Sequence, residues 1–152
     1  MKIILYKGIS PVSKIIRWHT RSEYSHAAAL LDDDTVVEAW RKGVEQVRDY
    51  KTNHTPGTIA DIYSIEADEV LLKKAEQIFL KQVGRKYDFQ GVSNFLTRSD
   101  SDVDERLFCS ESVITGLNEA GIFLLKRIKP SQTSPRDISI SPLLCLKKTV
   151  TV

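Results

Sequence analysis

The chain predicts an α+β fold in which a small antiparallel sheet packs against a helix carrying a cysteine. Three stretches lead there. Tyr24 to Trp40 is two apolar runs around Asp32, Asp33 and Asp34, and short apolar runs bounded by turn-forming residues read as a β-hairpin. Glu66 to Val83 spaces Leu71, Ala75, Ile78, Phe79 and Gln82 as one helix face, closed by Gly84. Leu107 to Ile114 sets Cys109 where an apolar stretch ends and a second helical pattern begins.

Taken in order, Ile3 to Tyr6 reads as a strand ending at Gly8. Ser10 and Pro11 are a helix start, with serine at the N-cap and proline at the first helical position. Val12, Ile15 and Ile16 give that helix its apolar stripe, and it ends near His19 and Thr20. The hairpin follows, and Gly43 to Val47 extends the sheet. Tyr50 to Thr58 is a polar loop with a Pro-Gly turn. Its His54 reads as a loop histidine whose orientation nothing fixes, and its Asn53-His54-Thr55 matches a glycosylation pattern by chance. Ile59 to Ile65 alternates as a strand. After the long helix, Val92 to Leu96 reads as a short helix and Thr97 to Glu105 as a polar, acidic surface loop. The cysteine helix then buries Val113, Ile114, Leu117 and Ala120 and stops at Gly121. Ile122 to Leu125 and Ile138 to Ile140 read as short extended segments, and Leu143 to Leu146 as a last apolar run. The sequence holds no repeat or interdomain linker, so residues 1–152 are expected to form a single domain.

Composition narrows the function classes. A hydrophobic fraction of 41% and a charged fraction of 28% are those of an ordinary globular protein. A net charge of +2 is too weak a bias to argue for nucleic acid. The two cysteines, Cys109 and Cys145, are too few for a disulfide-built scaffold and are expected to be free, Cys145 as an inert structural thiol. The N-terminus lacks signal-peptide character and no apolar run reaches transmembrane length. A soluble protein, cytoplasmic unless exported by another route, is expected.

The hairpin register decides whether its polar residues meet. Side chains alternate faces along a strand. If Asp32 to Asp34 form a three-residue loop, Leu31 opposes Thr35, position 28 faces Glu38, and position 26 faces Trp40. His26 then lies diagonally from Glu38 on one face, roughly 7–8 Å away at the backbone and within side-chain reach. A two- or four-residue loop would separate them. At a helix start, the Cys109 thiolate would feel the positive end of the helix dipole. Cysteine, histidine and carboxylate are the parts of a thiol nucleophile, its base and the group that orients the base.

Tyr24-Ser25-His26, a glutamate twelve positions later, and Phe108-Cys109-Ser110-Glu111 together resemble the circularly permuted NlpC-like cysteine amidases. These are the YiiX-like branch of the papain-fold superfamily, related to lecithin:retinol acyltransferase. Lys86-Tyr87-Asp88-Phe89-Gln90-Gly91 is similar to that family's segment before the nucleophile. The resemblance implies a papain-like fold with a barrel-like sheet packed on the cysteine helix. It implies Cys109 as nucleophile, His26 as base and Glu38 as the polar third member. Glu38, where the acyltransferase branch usually has histidine, favours the bacterial amidase-like branch, and a bacterial or phage-encoded protein is expected. Cell-wall peptides or lipid-linked amides are the substrates implied, with no cofactor and no metal. A zinc site of Cys109, His26 and Glu38 is the weaker reading, since no close Cys/His pairing supports it. Tyr24, Trp40, Ser110 and Tyr87 are the expected substrate-side residues. Tyr24 is read on the His26 face and Trp40 as a wall of the cleft, each with a structural role as its alternative. An acyltransferase or phospholipase on the same site, and a catalytically silent binding module, are the competing functions.

Overall fold

The computed structural model describes residues 1–40, 43–86 and 101–152. Six strands form one antiparallel sheet: β1 (Lys2–Lys7), β2 (His26–Leu30), β3 (Val36–Trp40), β4 (Gly43–Val47), β5 (Ile59–Ile65) and β6 (Leu144–Thr151), in the order β4-β3-β2-β1-β5-β6. The helices are α1 (Pro11–Thr20), α2 (Glu69–Gln82), α3 (Ser101–Ala120) and α4 (Pro135–Ser139). The mixed α and antiparallel β architecture is as expected. The barrel-like closure is not: β4 and β6 end the sheet without pairing to each other. The outer strand β6 is largely exposed and carries Lys147 and Lys148, charges that keep an edge strand from pairing further.

The hairpin has the three-residue loop that its polar residues require. Leu31 N–H donates to the Thr35 carbonyl at 2.9 Å, and Ala28 lies opposite Glu38. Asp34 takes φ 63, the left-handed conformation with which three-residue hairpin loops close. Asp33 Oδ1 accepts from the Thr35 N–H at 3.0 Å. Each of these short local bonds stabilises the odd loop length and hence the shared face.

Alternation along the central strands gives the sheet two apolar faces. Ile3, Leu5, Ala27, Ala29 and Val37 pack with Phe79 of α2 and with Ile114 and Leu117 of α3. Ile4, Tyr6, Ala28, Leu30, Val36 and Ile62 form the second cluster. Gly116 lets α2 and α3 approach closely, because a Cβ there would stand 2.8 Å from the Phe79 ring.

Helix α1 is capped as its sequence predicts, the Ser10 hydroxyl accepting from the Ser13 N–H. Its stripe is only partly core: Ile16 is buried, whereas Val12 and Ile15 are exposed. Helix α2 starts at Glu69 rather than Glu66, because the Glu66 N–H is held by the Leu143 carbonyl at 2.8 Å and Asp68 caps the helix through the Val70 N–H. Ile138 lies in a helix, not an extended segment. Ser134 and Asp137 form a capping box with Pro135 at the first position, and such a start signal outweighs β-branched propensity over five residues. Residues 122–125 lie outside the strands. The expected loop Thr97 to Glu105 is helical from Ser101. An acidic stretch suits a first helical turn as well as a loop, since carboxylates are favoured at the positive helix end. The expected helix at Val92 to Leu96, and Tyr87, lie outside the described residues.

The connection from β4 to β5 is tied to the far end of the chain. Gly57 N–H donates to the Val152 carbonyl at 2.7 Å, and Val152 N–H to the Thr58 carbonyl at 2.8 Å.

Candidate active site

His26, the first residue of β2, is 6% exposed. Its Nε2 lies 3.1 Å from Glu38 Oε2, so the diagonal hairpin pair is a direct contact. The ring stacks on Trp40, with centroids 4.2 Å apart and planes 14° apart. Trp40 therefore does wall the histidine. The Cys109 thiol hydrogen-bonds the same ring; with Nε2 on Glu38, Nδ1 is the nitrogen left for sulfur. The ladder to β3 begins only at Ala28, and the Ala27 N–H donates to the thiol. Cysteine, histidine and glutamate thus stand in the order that nucleophile, base and orienting group require.

The charges reinforce one another. Burial alone would push His26 down, but the Cys109 thiolate and the Glu38 carboxylate outweigh it and raise the imidazole to about 10. Burial likewise pushes the Cys109 thiol up, and the His26 charge beside it overrides that and lowers it. Glu38 is held well below the usual carboxylate range: burial opposes, and contacts with His26 and His54 prevail. The arrangement favours thiolate and imidazolium over thiol and neutral ring.

One expectation about Cys109 fails. It is nine residues into α3, which begins at Ser101, so it does not occupy a helix start. The N–H groups of Cys109 and Ser110 point along the helix's own hydrogen-bond ladder, and the dipole's positive end is about two turns away. Neither a dipole effect on the thiol nor an oxyanion site from helix-start amides follows. The imidazolium supplies the positive charge instead.

His54 belongs to the site, contrary to its reading as an unoriented loop residue. Its ring stacks on Tyr6 at 3.6 Å between centroids, and Nε2 comes within 3.3 Å of Glu38 Oε2. Neighbouring Asn53 donates through Nδ2 to Glu38 Oε1 at 3.2 Å and to Glu45 Oε1 at 2.7 Å. Burial and the His26 charge lower His54 against the pull of Glu38, which keeps it neutral. The sequence signal was slight: one of three histidines in the chain, beside an asparagine.

The remaining expected residues divide. Tyr24 is not on the His26 face. It packs in the helix-side cluster, and its hydroxyl lies 2.7 Å from Asp61 Oδ2 and 2.8 Å from the Tyr63 hydroxyl. Because β2 begins at His26, strand alternation does not extend back to Tyr24. Ser110 is fully buried with Oγ 3.9 Å from the Cys109 sulfur, beside the thiol and away from the cleft surface. Among the described residues neither Cys145, on β6, nor Cys109 is joined in a disulfide.

A cleft of about 280 Å³ opens on His26, Trp40 and His54 and is bordered by Ser13, Ile16 and Thr55. Cys109 is 1% exposed and is not among the described residues lining it. Among the described residues no helix is long and apolar enough to cross a membrane.

No protein-family model matches the sequence, and no curated protein matches it significantly. Among solved structures, the crystal structure of metalloprotein yiiX from Escherichia coli O157:H7 is similar, with a TM-score of 0.63 at 21% sequence identity, over 97% of this chain and 94% of that one. The likeness is one of fold, and it bears out the expected YiiX-like architecture.

Proposed function

We propose that the chain is a thiol-dependent hydrolase of amide bonds with a papain-like, NlpC-type mechanism, acting on a peptide or lipid-linked amide. The observation that carries this is the buried His26 held between Cys109 and Glu38. In the first half-reaction the Cys109 thiolate attacks the amide carbonyl carbon and a C–S bond forms. The C–N bond breaks as the His26 Nδ1 proton passes to the leaving nitrogen. In the second, water attacks the thioester carbonyl, His26 takes the water proton, and the acid leaves with the C–S bond broken. Glu38 fixes the ring through Nε2 and stabilises its charge, which makes it a positioning residue. Trp40 covers one face of the ring and keeps it dry.

The test exploits an inversion between exposure and reactivity. Cys145 is half-buried and Cys109 buried. An unassisted thiol is under about 1% ionised at pH 6. Treatment with iodoacetamide at pH 6, followed by peptide mass spectrometry, is expected to label Cys109 ahead of Cys145. Labelling in order of exposure would remove the nucleophile assignment and favour a binding module. A reactive Cys109 whose acyl group passes to an added amine or alcohol faster than to water would make the protein a transferase.

A further inference from the structure

We propose that His26, Glu38 and His54 also form a binding site for a divalent transition-metal ion of zinc's size and ligand preference. Their donor atoms all lie within 4.8 Å of one another. Around a tetrahedral ion with ligands at about 2.0–2.1 Å, neighbouring donors stand roughly 3.3 Å apart. The two imidazole nitrogens lie 3.1 and 3.3 Å from Glu38 Oε2, so both edges already have that length.

His54 supplies an independent sign. Its side chain is 6% exposed, and its Nε2, although close to Glu38, makes no aligned hydrogen bond. A buried ring nitrogen without a partner costs free energy, and a metal ion on that nitrogen would satisfy it. Two imidazoles and a carboxylate are a zinc-type donor set. The surroundings orient each member as second-layer contacts at metal sites do. Asn53 holds Glu38 Oε1, which turns Oε2 to the two rings. Tyr6 and Trp40 stack on the two imidazoles. Both histidines line the cleft, which provides an entry path and an open fourth position.

The ion and the base function of His26 exclude each other, a consequence that rests on the hydrolase reading. With metal on Nε2, the ring keeps its one proton on Nδ1. It cannot take a second from Cys109 or from water. A bound ion therefore holds the thiol machinery off.

The test is calorimetric titration of the chelator-stripped full chain with zinc chloride, with cobalt(II) absorption as a second readout. One zinc per chain is expected. His54→Ala should weaken binding by more than about 100-fold, since even outer-layer changes at metal sites cost 10–100-fold. His54→Phe, which keeps the stack on Tyr6, should weaken it as much, separating loss of the donor from misfolding. Cys109→Ser should bind as the parent does, and the cobalt spectrum should lack a thiolate charge-transfer band. No saturable binding, undiminished binding in both His54 variants, or a thiolate band would each overturn the site. Turnover is not involved, so this result and that of the Cys109 labelling are separable.

Discussion

Replacing Cys109 by alanine is expected to abolish turnover and to change how stability depends on pH. Loss of turnover follows from loss of the nucleophile. His26→Ala should leave the thiol but slow its alkylation at pH 6 and cost turnover about 10²–10⁴-fold through lost general-base catalysis. The pH behaviour follows from counting protons in the metal-free protein. Unfolded, histidine titrates near about 6.5 and cysteine near about 8.5. Between those values the unfolded chain carries one proton, on sulfur, and the folded pair also carries one, on the ring. Equal proton numbers mean a flat stability curve in that window. Below about 6.5 the unfolded histidine takes up a second proton, and stability falls as pH falls. Above about 8.5 the unfolded chain has lost both protons while His26 keeps its own up to about 10, so stability falls as pH rises. In Cys109→Ala only the raised histidine remains, held by Glu38. Its contribution is complete below about 6.5 and declines as pH rises above it. Thermal melts across pH 5 to 10 would separate the two curves; a parent and variant of identical shape would mean that no ion pair exists.

Glu38→Ala is expected to be the most damaging single change to stability. The carboxylate is fully buried and touches His26, His54 and Asn53. Its removal takes from the buried His26 ring its acceptor, from His54 its neighbouring carboxylate and from Asn53 one of two acceptors. Breaking a buried ionic contact from one side costs about 3–5 kcal/mol, a large part of a typical domain's stability. Glu38→Gln should cost less, because the amide oxygen still accepts from one ring. The pH sign is opposite to that of His26. Glu38 is held below its ordinary value, so its contribution is present above about pH 4.3 and is lost as pH falls through the folded value. Urea melts of parent and Glu38→Gln should thus differ most near neutrality and converge in acid. A constant gap at all pH values would show that the charge on Glu38 does not contribute.

The hairpin was legible because its chemistry is local. Three aspartates between apolar runs mark the turn, and of the loop lengths open to it the odd one places His26 and Glu38 on one face. Cys109 was legible as a residue and not as a position on its helix: an acidic stretch reads equally as a loop or as a first turn. His54 was hidden because its role depends on where the connection from β4 to β5 returns across the sheet. No periodicity encodes that. The open sheet was hidden for a related reason, since β1 lies centrally only through pairings far apart in sequence. The YiiX-like architecture was legible from the order of the motifs, which survives where no single motif is specific.

The hold of Val152 on Gly57 and Thr58 divides the site into two units of unequal permanence. His26 and Glu38 lie on a hairpin flanked on both sides by other strands, and such elements open in hydrogen exchange only near global unfolding. His54 lies in a connection whose end is pinned by Val152, the residue that follows the edge strand β6. Edge strands open far more often and at lower free energy than central ones. Fraying of β6 from its end would release the His54 connection from one of its anchors while leaving His26 and Glu38 paired. Amide protons at Gly57 and Val152 should then exchange well ahead of those at Ala28 and Glu38. The proposed metal site would come and go with that fraying, while His26 and Glu38 stay paired.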